Sequence, residues 1–69
     1  DLPPHEKKYY IGELLYEKIS IIDQRNAGKI TGMFLDLEIP ELIILLREDQ
    51  KLNRKTREAQ RVLREAVTQ

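Results

Sequence analysis

The chain has no cysteine and no tryptophan, a single histidine, a single methionine, and no net charge in its 69 residues. Each shortage removes a class of protein. Without cysteine there is no disulfide framework, which fits a reducing compartment. The lone His5 and the scattered carboxylates show no metal-ligand spacing, so no metal or other cofactor is expected. The longest apolar run, residues 42–46, holds five residues, far short of the roughly 20 needed to span a bilayer. No signal-peptide pattern is visible. Ser20, Thr31, Thr56 and Thr68 have no histidine partner by any spacing, so no nucleophile–base pair stands out. Ala27-Gly28-Lys29 resembles the end of a phosphate loop, but the upstream glycine and the preceding strand are missing. An enzyme is not expected.

A chain this short allows one domain, here residues 1–69. Such a domain buries only roughly 60 % of its unfolded surface. A shallow surface groove is therefore easier to build than a deep substrate cleft.

The zero net charge hides an asymmetry. Residues 1–50 carry 6 basic and 10 acidic side chains, and residues 51–69 carry 6 basic and 2 acidic ones. Arg54, Arg57, Arg61 and Arg64 form a narrow stripe in the basic half. A stripe of this kind is either a solvated helix face or a weak patch for nucleic acid or an acidic partner. It has no interleaved aromatics for base stacking.

Hydrophobic spacing predicts an all-α protein of four helices, over about 5–22, 29–37, 39–47 and 51–67. In the first, Ile11, Leu14, Leu15, Ile19 and Ile22 share a face, while Tyr9, Gly12, Glu13 and Tyr16 lie on another side. A glycine inside a helix costs roughly 1 kcal/mol against alanine. Gly12 therefore marks a close approach, either by a neighbouring helix or by a ligand side chain lying between Tyr9 and Tyr16. Residues 23–28 read as a polar connector of turn formers. The second helix is short and has Gly32 at its centre, so it must be held by packing on both sides. Pro40 suits the first turn of the third helix, and Glu38 and Glu41 suit its positive end. Its apolar run reads as buried on most sides, and residues 48–50 as a polar turn. In the last helix Leu52, Thr56, Ala59, Val62, Leu63 and Ala66 share one broad face.

The central stretch Gly28-Lys29-Ile30-Thr31-Gly32-Met33-Phe34-Leu35-Asp36 resembles the signature of the MLLE (PABC) domain, the C-terminal domain of poly(A)-binding proteins. Ile11-Gly12-Glu13 with Tyr16, Glu41-Leu42 with Leu45-Leu46, and Lys55, Glu58, Ala59, Val62 and Leu63 extend the resemblance without a gap from Glu6 to Ala66. The chain departs from the pattern at Tyr9, Phe34, Asp36 and Ala66, where glutamine, leucine, glutamate and often histidine are usual, and Arg61 adds charge nearby.

The resemblance implies a small right-handed superhelix of four helices, with no enzyme activity. It implies a cytoplasmic, monomeric module binding PAM2-like linear peptides, which wrap around the central helix and are anchored by a phenylalanine and a leucine. The phenylalanine pocket would be lined by Tyr9, Gly12, Glu13, Tyr16, Gly28, Lys29 and Thr31. The leucine pocket would be lined by Met33, Leu35, Lys55, Ala59 and Val62. The departures suit a diverged copy in an RNA-transport protein, some other adaptor or a ubiquitin ligase, linked to RNA only through other domains of the host. The alternative is a structural or self-associating helical spacer with weak or no PAM2 binding and a possible weak RNA contact.

Overall fold

The computed structural model describes residues 3–68, with side chains as far as Ala66. Among these residues there are four helices and no strands: α1 (Pro4–Ile22), α2 (Ala27–Phe34), α3 (Ile39–Arg47) and α4 (Asp49–Thr68). The all-α architecture is the one the hydrophobic spacing predicts. Pro3 and Pro4 make residues 1–4 read in the sequence as a non-helical lead, of which Asp1 and Leu2 lie outside the described residues. Pro4 is already the first residue of α1, where its missing N–H costs nothing.

One core joins the four elements. Leu15 and Ile19 of α1, Ala27, Ile30 and Phe34 of α2, Leu42 and Leu45 of α3, and Leu52 and Ala59 of α4 are all buried together. α1 packs against each of the other three helices, and α4 closes over α2 and α3. The 20 residues of α4 make a rod of about 30 Å, and its last turns run past the core with Arg61, Val62 and Arg64 to Ala66 exposed. This stretches the molecule to 43 × 23 × 18 Å.

The packing corrects several sequence expectations. Leu14 and Ile22, placed by spacing on the core face of α1, are exposed. All three partner helices lie on the Leu15/Ile19 side, and each residue turns the helix by about 100°, so Leu14 falls past the edge. The apolar run of α3 buries only Leu42 and Leu45, leaving Ile43 and Ile44 each 40 % exposed. A nine-residue helix covered by α1 and α4 on one side has no second face to bury.

The connector before α2 is shorter than expected. Ala27 and Gly28 belong to the helix, and Ala27 is fully buried. The turn is closed by Asp23, whose carboxylate accepts the Asn26 backbone N–H at 3.2 Å and the Asn26 side-chain amide at 3.0 Å. Gln60 Nε2 of α4 donates to the same carboxylate at 3.0 Å. The donated hydrogen bonds, that of Gln60 first, hold the Asp23 carboxyl below its ordinary range. One side chain thus starts α2 and ties it to α4. α2 also ends early, at Phe34, and the expected helical residues 35–37 form a turn. Between α3 and α4 only Glu48 is non-helical, because its carbonyl accepts the Leu52 N–H at 3.1 Å and opens α4 at once.

Candidate peptide-docking surface

α2 stands between two surface clefts. The eight residues of this helix divide by their angular position. Ala27, Ile30, Thr31 and Phe34 turn inward and are buried, while Gly28, Lys29 and Gly32 lie exposed on the outer side. Gly28 and Gly32 are one turn apart and so adjacent on the surface. A Cβ added at either would meet nothing within 4 Å. The outer face of α2 is therefore bare backbone flanked by Lys29.

The first cleft lies between α1 and α2, with a volume of about 700 Å³. Tyr9, Gly12, Glu13 and Tyr16 supply its α1 wall, and Thr31 and Leu35 its other side. Tyr9 and Tyr16 are 63 % and 47 % exposed, so their rings form open aromatic walls. Tyr10 meets the Tyr9 ring edge-on, with centroids 5.6 Å apart. The Glu13 carboxylate, by hydrogen bonding first and by its charge second, holds the Tyr9 phenol above its ordinary range. Glu17 and Leu14 also line the cleft, which thus combines ring faces with a rim of two carboxylates.

Gly12 is where the backbone of α1 is approached. Leu35 lies across it, with Cδ1 and Cδ2 3.3 and 3.4 Å from the place a Cβ would take. The Leu35 carbonyl, left without a partner by the end of α2, accepts a hydrogen bond from Lys8 Nζ at 3.0 Å. A lysine at a helix C-terminus meets both the free carbonyl and the negative end of the dipole. The close approach that Gly12 signals is therefore made by a side chain from the turn after α2.

The second cleft, about 220 Å³, lies between α2 and α4. Met33, Lys55, Ala59 and Val62 line it together with Phe34, Leu37 and Glu58. Val62 is 52 % exposed and forms its outer lip.

The structure brings together most, but not all, of the side chains expected to act jointly. Tyr9, Gly12, Glu13, Tyr16 and Thr31 converge on the first cleft, whereas Gly28 and Lys29 lie outside it, on the outer face of α2. Leu35, expected beside Met33, lines the first cleft and not the second. The reason is helical geometry: Leu35 keeps helical backbone angles and its N–H bonds the Thr31 carbonyl at 3.1 Å, so it lies one turn after Thr31 on the α1 side, about 200° around the helix from Met33. Leu37 carries no mark in the sequence beyond its spacing from Met33, whereas Glu58 stands among the residues that carry the resemblance without being assigned to a pocket.

The arginines of α4 are exposed and line neither cleft; Arg54 lies beside α3. No described helix is long and apolar enough to cross a membrane.

Comparison with known proteins adds two findings. The family described as MLLE domain matches residues 1–63. The chain is also similar to the E3 ubiquitin-protein ligase hyd of Drosophila melanogaster, with 47 % identity over 49 residues. That stretch is 71 % of this chain and 2 % of the relative, so the likeness concerns one small region of a much longer protein.

Proposed function

Because the chain belongs to the MLLE domain family, a family of non-catalytic protein-interaction modules that bind peptides, we propose that it holds PAM2-like segments of partner proteins by two anchors, one on each side of α2. An aromatic side chain enters the Tyr9/Gly12/Tyr16 cleft, stacking on the tyrosines over Leu35. An aliphatic side chain enters the Met33/Ala59/Val62 cleft. The main chain between them crosses the bare Gly28/Gly32 face, with Lys29 beside it.

The observation that carries this reading is the pairing of two largely apolar clefts with a helix wall on which Gly28 and Gly32 leave the backbone bare and Lys29 is the one exposed side chain. The eight-residue α2 is about 12 Å long and, along the Gly28/Gly32 line of its outer face, only a few ångströms thick. A peptide of ordinary length can therefore reach both clefts at once. An extended, disordered ligand spends part of its contact energy on ordering itself, so affinity near 1 μM, about −8 kcal/mol, is the expectation.

The host is proposed to be a ubiquitin ligase or a related adaptor in preference to an RNA-transport protein, because the relative is named as a ligase. In such a host the module would gather partners and would not itself catalyse transfer.

The test is calorimetric titration with a PAM2-type peptide carrying both anchors. Binding near micromolar is expected, weakened tenfold or more by Tyr16→Ala and by Val62→Asp. Both positions are exposed, so the fold should survive each change. If the peptide fails to bind at hundreds of micromolar, or if neither change matters, the two-anchor reading is wrong. A concentration-dependent dimer in sedimentation, lost with Tyr16→Ala, would instead favour a self-associating spacer.

A further inference from the structure

We infer that the peptide track does not end at the aliphatic cleft but continues into a third groove, between α3 and α4, that takes an apolar residue and a carboxylate of the same peptide. This inference rests on the two-anchor reading and extends it.

The groove has a volume of about 280 Å³ and shares Leu37, Lys55 and Glu58 with the aliphatic cleft. The two are therefore neighbouring stretches of one channel along the flank of α4. Leu37, Ile44 and Leu45 give the groove its apolar surface. Ile44 is 40 % exposed and has no role in the core, since α3 spends Leu42 and Leu45 there. The domain leaves this side chain uncovered next to a cleft that an apolar ligand is proposed to fill.

Charge selects the second feature of the occupant. Lys51, Arg54 and Lys55 line the groove against Glu41 and Glu58. Lys51 is already within 3.7 Å of Glu48. Arg54 and Lys55 have no carboxylate within 4 Å among the described residues. The α4 wall of the groove is thus basic from Lys51 to Lys55, with Glu58 at the end shared with the aliphatic cleft and Glu41 across on α3, so a peptide Asp or Glu beside the apolar residue fits against Arg54 and Lys55. The span sets the distance. From Ala59 back to Lys51 is eight residues of helix, about 12 Å, which three to four residues of extended peptide cover.

The experiment compares three peptides by titration. One carries the two anchors only. The second adds four residues beyond the aliphatic anchor, on the side away from the aromatic one, including one Leu and one Glu. The third has Lys in place of that Glu. The Glu-bearing extension should tighten binding fivefold or more, and the Lys-bearing one clearly less. Ile44→Asp should remove the gain while leaving the short peptide's affinity unchanged. Arg54→Glu should invert the preference between the Glu and Lys extensions. Circular dichroism checks the fold of each variant, and both positions are exposed. If the short peptide binds and the extension gains less than twofold, or the gain survives both substitutions, the third groove is refuted and the two-anchor reading stands. If the short peptide itself does not bind, both fall. A dimer of the free domain that Ile44→Asp dissolves would show that a second copy covers the groove, and would also overturn the inference.

Discussion

Replacing Gly32 by alanine separates stability from binding in one substitution. Gly32 is inside α2, has no positive φ, and a Cβ there would meet nothing within 4 Å. Alanine therefore fits without strain. It should stabilise the fold by about 0.5–1 kcal/mol, through helix propensity and through the reduced freedom of the unfolded chain. For a domain of this size, 1 kcal/mol moves the Tm by roughly 4–8 °C, so a rise of a few degrees is expected in a thermal melt. Binding should move the other way. Thr31 and Met33 line opposite clefts, and Gly32 lies between them on the exposed side, about 100° from each. A methyl group there lifts the peptide main chain off the helix and shifts both anchors outward. A loss of about tenfold, near 1.4 kcal/mol, is expected in calorimetry with the two-anchor peptide. A fall in Tm would mean that Gly32 serves packing, and a raised Tm with unchanged affinity would mean that the peptide does not cross this face. Gly12→Ala supplies the contrast. Its Cβ would come within 3.3 Å of Leu35 Cδ1, so Leu35 must give way. The propensity gain should be largely cancelled there, and the aromatic cleft reshaped.

Two further outcomes follow from groups in the interior and in the turn. Thr56 is fully buried, and its hydroxyl has no hydrogen-bond partner among the described residues; Thr56→Val should raise stability in urea by about 1 kcal/mol, since a buried polar group without a partner is costly, and a loss would show that the hydroxyl is bonded after all. The Asp23 carboxylate is held below its ordinary pKa by Gln60 and Asn26, so its contribution is fully present above the unfolded value near 3.9 and disappears as pH falls through the lower folded value. Asp23→Asn should therefore be less stable than the native chain at pH 7, with the gap narrowing toward pH 2; a gap of constant size across that range would show that the carboxylate's charge plays no part.

The helices were legible in the sequence because their signals are local. The expected third helix, 39–47, is the observed one, fixed by Pro40 at its front, and the spans of α1 and α4 extend beyond the expected ones by two residues or fewer at each end. The second helix was displaced because Asp, Asn and Gly in residues 23–28 all read as turn formers. Only the folded chain shows that Asp23 alone completes the turn, with its partner Gln60 supplied from 37 positions away. Ile43, Ile44, Leu14 and Ile22 illustrate a different limit. Spacing says which residues share a face, but not how much of that face a small domain can cover. Leu35 is a different case. Its backbone is still helical, with its N–H on the Thr31 carbonyl, so spacing alone puts it with Thr31, one turn back, and about 200° from Met33; it is the family resemblance that pairs it with Met33.

These limits also explain why the most specific motif in the chain is its thinnest element. α2 has eight residues. Four of them, Ala27, Ile30, Thr31 and Phe34, are consumed by the core, and Met33 forms part of a cleft. What remains on the outer side is Gly28, Lys29 and Gly32, two of which have no side chain. A longer helix would carry positions free to vary, as α4 does along Arg57, Arg61 and Arg64. In α2 every position either fills the core or faces one of the surfaces on which the proposed peptide lies. A substitution there has no neutral direction to point in, which is why its sequence reads as a signature while α1 and α4 read as patterns.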